Sequence, residues 1–114
     1  MKQWQTATIE AQGGRCLICN AVIDGEHGSW DHFVPRVALA SKGASSLRVG
    51  LTFWTHGKCN SRRQHAPAAP PMIARARNAI SKLPHNFRKE AEANIARVYA
   101  AHEAYLDTLA ELDR

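Results

Sequence analysis

Two pairs of metal-ligand residues constrain this chain more than any other feature. Cys16-Leu17-Ile18-Cys19 and His56-Gly57-Lys58-Cys59 are a C-x-x-C and an H-x-x-C, and together they use all three cysteines of the 114 residues. Structural zinc takes four sulfur or nitrogen ligands in a tetrahedron, and one turn can supply two of them from such a pair. Cys16, Cys19, His56 and Cys59 therefore predict one structural Zn²⁺. An odd number of cysteines argues against a disulfide framework. The length is that of one domain with a modest core, and a metal staple suits such a core where loops leave it thin.

The formal net charge is +5, but its placement says more. No Asp or Glu occurs from His32 to Lys89, a stretch that holds eleven Lys and Arg residues. From Glu90 onward six carboxylates accompany only Arg97 and Arg114. A split this sharp predicts a polyanion partner, nucleic acid first, for the basic part and a solvated or partner-facing helix for the acidic part. Met1-Lys2-Gln3-Trp4 opens no signal-peptide pattern, and no run approaches about 18 apolar residues. The expectation is a soluble, cytoplasmic protein with reduced cysteines and no membrane partner.

The periodicities predict an α+β fold. A short helix fits residues 2–12, closed by Gly13-Gly14. A knuckle turn follows at Cys16–Cys19, with Asn20 suited to positive φ. Ala21-Val22-Ile23 is a possible strand, and Asp24-Gly25 a tight turn. Ser29–Val34 and Leu51–Thr55 read as extended, with one helical turn at Val37–Ala40 and a loop over residues 41–46 between them. Asn60–His65 begins a helix that Pro67, Pro70 and Pro71 cut short. The domain reading is a zinc-stapled core over 1–66, a Pro/Ala linker at 67–71, and a helical hairpin over 72–114. In that hairpin Met72 or Ile73, Ala76, Ile80 and Leu83 line one helix, and Asn86 caps the next. The second helix carries Phe87, Ala91, Ile95, Val98, His102, Tyr105, Leu109 and Leu112 along one seam. That seam packs on the core, on the neighbouring helix or on a second copy of the chain, giving a homodimer.

Asp31-His32 lies between the two ligand pairs on a strand that stops at Pro35. Neighbouring strand residues point to opposite sides, so one can meet a metal while the other addresses a water. A hard cation such as Mg²⁺ takes oxygen ligands, and Asp31 is the last carboxylate before the basic run.

With these residues in view, the stretch 2–65 resembles the HNH endonuclease family, nucleases built on a ββα-metal motif. The likeness rests on Gln12-Gly13-Gly14-Arg15 leading into the first pair, on Asp31-His32 with Pro35, and on the closing Cys59-Asn60. It implies a phosphodiester hydrolase in which His32 is the general base, a role that suits imidazole because it titrates near neutral pH. Asp31 and the side-chain oxygen of Asn60 would hold a catalytic Mg²⁺, Mn²⁺ or other divalent cation against the scissile phosphate. Arg62 or Arg63 would add a phosphate contact or simply be a solvated helix charge; Arg36 and Lys58 complete the expected DNA-binding set, with weak sequence preference. The family's middle Asn has no counterpart between His32 and Cys59, so Ser46, Thr52 or backbone alone would orient the base. Small free-standing members occur in phages and mobile elements, which would place the protein in a host cytoplasm. Two rival readings stay open: a non-catalytic zinc module that binds nucleic acid, and an interaction protein working through its C-terminal helices. His65, about one helical turn beyond Asn60, reads first as a surface histidine and second as an extra ligand.

Overall fold

In a computed structural model of the chain, residues 1–24, 27–35 and 48–113 are described. Helix α1 (Gln3–Ala11) is followed by strands β1 (Gly28–His32) and β2 (Thr52–His56) and then by helices α2 (Gly57–Arg63), α3 (Pro70–Ser81) and α4 (His85–Leu112). This is a small α+β fold with two antiparallel strands. The expected helical turn at Val37–Ala40, the 41–46 loop, the turn at Gly25, Arg36 and Ser46 lie outside the described residues.

Helix α1 starts where the Gln5 side chain accepts from the Lys2 backbone N–H at 2.9 Å. It ends at two glycines with φ of +63° and +69°. Their N–H groups return to Glu10 and Ile9 carbonyls at 2.9 and 3.0 Å, satisfying the last turn as a glycine stop does. Asn20, at φ +66°, takes the left-handed geometry expected after the knuckle. The anticipated strand at Ala21–Ile23 is reduced to one bridge between Arg15 and Val22.

Strands β1 and β2 pair with Trp30 opposite Trp54, Asp31 opposite Phe53 and His32 opposite Thr52. Trp30 is also 5.3 Å from Trp4 and 5.1 Å from Trp54 by ring centroids, so three tilted indoles fasten α1 to the sheet. Gly28 is required beneath that stack, because a Cβ there would stand 1.8 Å from the Trp54 ring. Gln12 also ties α1 to β2. Its amide donates to the Trp54 carbonyl at 2.8 Å while its Oε1 accepts the Trp54 N–H at 2.9 Å.

The C-terminal hairpin is part of the same core. Leu17, Phe33, Leu51 and Phe53 from the N-terminal part share one buried cluster with Met72, Ile80, Ala91 and Val98. Ala76 and Ala91 are fully buried, small side chains that let helices approach closely. Gly50, at φ +83°, lies so near α4 that a Cβ would meet the Ala91 carbonyl oxygen at 2.5 Å. Asn94 reinforces this contact by donating to the Val49 carbonyl at 2.8 Å. The boundaries differ from those expected by composition. Pro70 and Pro71 open α3 rather than ending a linker, since a first-turn proline lacks an N–H that no helix bond needs. Pro84 stands at the N-cap of α4, with Asn86 already inside the first turn. Along the predicted seam Ala91, Val98 and His102 are buried, whereas Leu112 is 76% exposed.

His102 is buried against Phe33, 6.1 Å away by ring centroids, and Tyr99, at 5.8 Å. The ring is packed, and among the described residues neither nitrogen makes a well-formed hydrogen bond, the Ala68 backbone offering only a weak one. Burial holds the His102 pKa below the ordinary value against the opposing pull of Glu103, nearby Arg63 adds to the depression, and the Ala68 backbone opposes it. A histidine depressed in the folded state takes up its proton more readily when unfolded, so stability is lost as pH falls from about 6.5. The urea midpoint should therefore drop between pH about 7.5 and 5.5, and His102→Leu should lessen that drop. An identical drop in the variant would remove His102 from the acid response.

Candidate functional site

The two ligand pairs come together as their spacing requires. The donor atoms of Cys16, Cys19, His56 and Cys59 all lie within 4.8 Å of one another. His56 Nδ1 is 3.3 Å from Cys19 Sγ and 3.8 Å from Cys59 Sγ. A tetrahedral zinc with bonds of about 2.3 Å to sulfur and 2.0 Å to nitrogen would set its donors roughly 3.5–3.8 Å apart. The other ring nitrogen, Nε2, is 3.2 Å from the Val22 carbonyl. Donation from Nε2–H fixes the tautomer that leaves the Nδ1 lone pair facing the sulfurs, the usual outer-shell arrangement of a metal-bound histidine.

Local structure explains the convergence. Cys16 and Cys19 flank a turn in which Asn20 N–H donates to the Cys16 carbonyl at 2.8 Å and Cys16 N–H to Ala21 at 2.9 Å. His56 ends β2 and Cys59 lies in the first turn of α2, so the strand–helix junction presents both at once. The His56 N–H points at Cys16 Sγ, 3.3 Å away. Burial, then the neighbouring Cys16 and Cys19 sulfurs, pushes the Cys59 thiol up to about 12. Burial also raises Cys19, but hydrogen bonds from the Ala21 backbone and the Cys16 and Cys59 side chains outweigh it and leave that thiol lowered. Sulfurs this close ionise together only around a cation. The donor set fits a structural metal such as zinc.

A separate cleft of about 290 Å³, linked to the cluster through the Cys59–Asn60 step, is lined by Trp30, Asp31, His32, Pro35, Asn60, Gln64 and His65. Three residues singled out in sequence, Asp31, His32 and Asn60, therefore share one cavity. His32 is half-buried at the end of β1, and Asn60 Nδ2 donates to Ser29 Oγ at 3.0 Å, leaving Oδ1 as its remaining acceptor. His65, first read as a surface histidine, is exposed yet lines the same cleft; Tyr105 Oη donates to its carbonyl at 2.7 Å. The one-turn spacing from Asn60 was the available signal. Thr52, one of the groups expected to orient His32, is instead engaged within the core. It is fully buried, and its hydroxyl donates to the Arg48 carbonyl at 3.3 Å.

The largest departure concerns Arg63, expected as a phosphate contact or a solvated charge. Its side chain is only 6% exposed and Nη1 is 2.7 Å from Asp31 Oδ2. Nη1 also donates to the His32 carbonyl at 2.7 Å and Nη2 to that of Phe33 at 2.6 Å. Arg63 is thus not a surface DNA contact; it organises the end of β1 from within. Asp31 is correspondingly less available to a cation than the sequence suggests, since one oxygen is engaged and its charge is matched by the guanidinium. Burial still raises the Asp31 carboxyl above its ordinary value, with Arg63 opposing through charge and hydrogen bond. Lys58 and Arg62 remain exposed and line a second cleft of about 630 Å³ against the metal cluster, with His27, Gly28, His56 and Cys59.

Comparison of the chain with protein-family models, curated proteins and solved structures yields no match. No helix among the described residues is long and apolar enough to cross a membrane.

Proposed function

We propose that the protein is a metal-dependent HNH-type DNA endonuclease, its β1–β2–α2 unit serving as a zinc-stapled ββα-metal core. The observation that carries this reading is the gathering of His32, Asp31 and Asn60 around one cleft, in a chain that also assembles a Cys3His cluster ending one residue before Asn60. His32 takes a proton from the water that attacks the phosphodiester phosphorus. Asp31, one of whose oxygens is already engaged by Arg63, and Asn60 are the groups that would hold a divalent cation. When bound, Mg²⁺ or Mn²⁺ there would supply charge stabilisation for the transition state and the departing 3′ oxygen. Lys58 and Arg62 attract the phosphate backbone without reading bases, which suits weak sequence preference.

Supercoiled plasmid incubated with Mg²⁺ or Mn²⁺ tests this. Wild type should relax or linearise it, and His32→Ala should lose about 10²–10⁴-fold in rate, the usual worth of general-base assistance, with zinc content and DNA binding kept. Asp31→Ala and Asn60→Ala should regain part of their loss at high Mn²⁺, whereas His32→Ala should not. Cleavage by His32→Ala at the wild-type rate would show that the site is misplaced.

The Asp31–Arg63 ion pair favours a second reading, a non-catalytic zinc module that binds nucleic acid. A carboxylate already matched by a guanidinium attracts a cation less strongly, and no Asn stands between His32 and Cys59 to orient a base. Both readings predict DNA affinity that falls steeply with salt. Only the first predicts cut plasmid.

A further inference from the structure

Arg75 is a long-range contact that neither the metal cluster nor the cleft accounts for. It lies on α3, half-buried, in the hairpin beyond the stretch that holds all four metal-type ligands. Its Nη1 donates to the Leu17 carbonyl at 2.9 Å and to the Ile18 carbonyl at 2.7 Å. Leu17 and Ile18 are the two residues between Cys16 and Cys19, so the guanidinium grips the turn that presents both cysteine sulfurs.

Several neighbouring carbonyls in and around that turn also have partners. Cys16 O accepts from Asn20 N–H at 2.8 Å, and Ala21 O from Cys16 N–H at 2.9 Å. Asn20 O accepts from Arg15 Nη1 at 3.1 Å. On the opposite side the turn is tied to β2 by Leu17 N–H donating to the Trp54 carbonyl at 3.0 Å. Arg75 thus supplies the partners that the two central carbonyls would otherwise lack. It also brings a permanent positive charge. Three thiolates around Zn²⁺ leave the centre with one net negative charge, and a guanidinium hydrogen-bonded to the turn beneath favours that charged state.

We propose that Arg75 is a positioning residue for the metal centre, a clamp by which the C-terminal hairpin sets the geometry and metal affinity of the Cys16–Cys19 turn. The proposal rests on the zinc reading of Cys16, Cys19, His56 and Cys59. It gives the hairpin a task besides covering the core: the metal is held at full affinity only when α3 is docked. The neighbouring Arg77 is a natural control. It is on the same helix, two positions on, but its guanidinium lies 5.6 Å over the Tyr99 ring, away from the turn.

The test is zinc affinity of the full chain, measured by competition with a chromophoric chelator for wild type, Arg75→Ala, Arg75→Lys and Arg77→Ala. Outer-shell substitutions commonly weaken metal binding about 10–100-fold. Arg75→Ala should fall in that range, with Arg77→Ala at wild-type affinity. Arg75→Lys keeps the charge but loses the planar fork, and should fall between the two. Its reading holds even if Arg75→Ala does not fold. Wild-type affinity in a folded Arg75→Ala, or in Arg75→Lys, overturns the clamp, as does an equal loss in Arg77→Ala. Folded wild type that purifies without zinc and takes up none would instead end the zinc reading itself, and the clamp with it.

Discussion

Removing the metal with a strong chelator should unfold the N-terminal part of the chain, not merely empty a site. The cluster joins the knuckle to the strand–helix junction, where the other bonds among the described residues are few, such as Leu17 N–H to the Trp54 carbonyl, His56 N–H to Cys16 Sγ and His56 Nε2–H to the Val22 carbonyl. Without a cation, burial together with the neighbouring sulfurs, which raises Cys59 to about 12, keeps that thiol protonated or drives the sulfurs apart. Structural zinc binds small domains with an apparent free energy of about 10–16 kcal/mol at neutral pH. Total domain stabilities are only about 5–15 kcal/mol, so metal loss removes an amount comparable to the whole. The Trp4–Trp30–Trp54 stack is a built-in reporter. Its near-ultraviolet dichroism should vanish on chelation and return with added Zn²⁺. A stack that keeps its signal after the metal is gone would show that the core is self-sufficient.

Arg63→Ala is expected to be the most destabilising single exchange of a charged side chain. It leaves Asp31, 7% exposed, without its counter-charge, and removes the donors to the His32 and Phe33 carbonyls. Breaking a buried ion pair from one side costs about 3–5 kcal/mol, because the remaining charge stays buried and unmatched. The double variant Asp31→Asn/Arg63→Ala should recover part of this, since no charge remains to be matched. In the single variant, stability should improve as pH falls toward the raised Asp31 value, where the carboxyl takes up a proton and the penalty disappears. Urea unfolding of wild type, single and double variants measures all three effects. A loss below about 1 kcal/mol, the size of a surface pair, would put Arg63 back in solvent.

The metal cluster was legible because its information is local. Each pair of ligands sits within one turn, and Gly13-Gly14 and Asn20 mark the backbone geometry around it. The strands were legible to within about two residues, since Trp30, Phe53 and Trp54 suit a pleated, packed surface. The ion pair was not legible. Arg63 and Asp31 are 32 positions apart; in sequence Asp31 reads as a cation ligand and Arg63 as a phosphate contact or a solvated charge. Only the pairing of β1 with β2 and the placement of α2 against them brings the guanidinium under the strand. Arg75 is hidden in the same way, 58 positions from Leu17. The linker holds over 67–69, but its end at Pro71 was misplaced for a different reason. Proline stops a helix it follows but suits the first turn of one it begins, and composition alone does not distinguish the two at Pro70. His65 reached the cleft through the turn at Gln64, whose φ of +49° is unusual for a non-glycine residue.

X-ray absorption at the zinc edge of the purified, unsupplemented protein tests the central claim most directly. The expected spectrum has three sulfurs at about 2.3 Å and one nitrogen at about 2.0–2.1 Å, with about one zinc per chain by elemental analysis. Folded protein without metal, or a zinc shell of oxygens and nitrogens alone, would contradict the account.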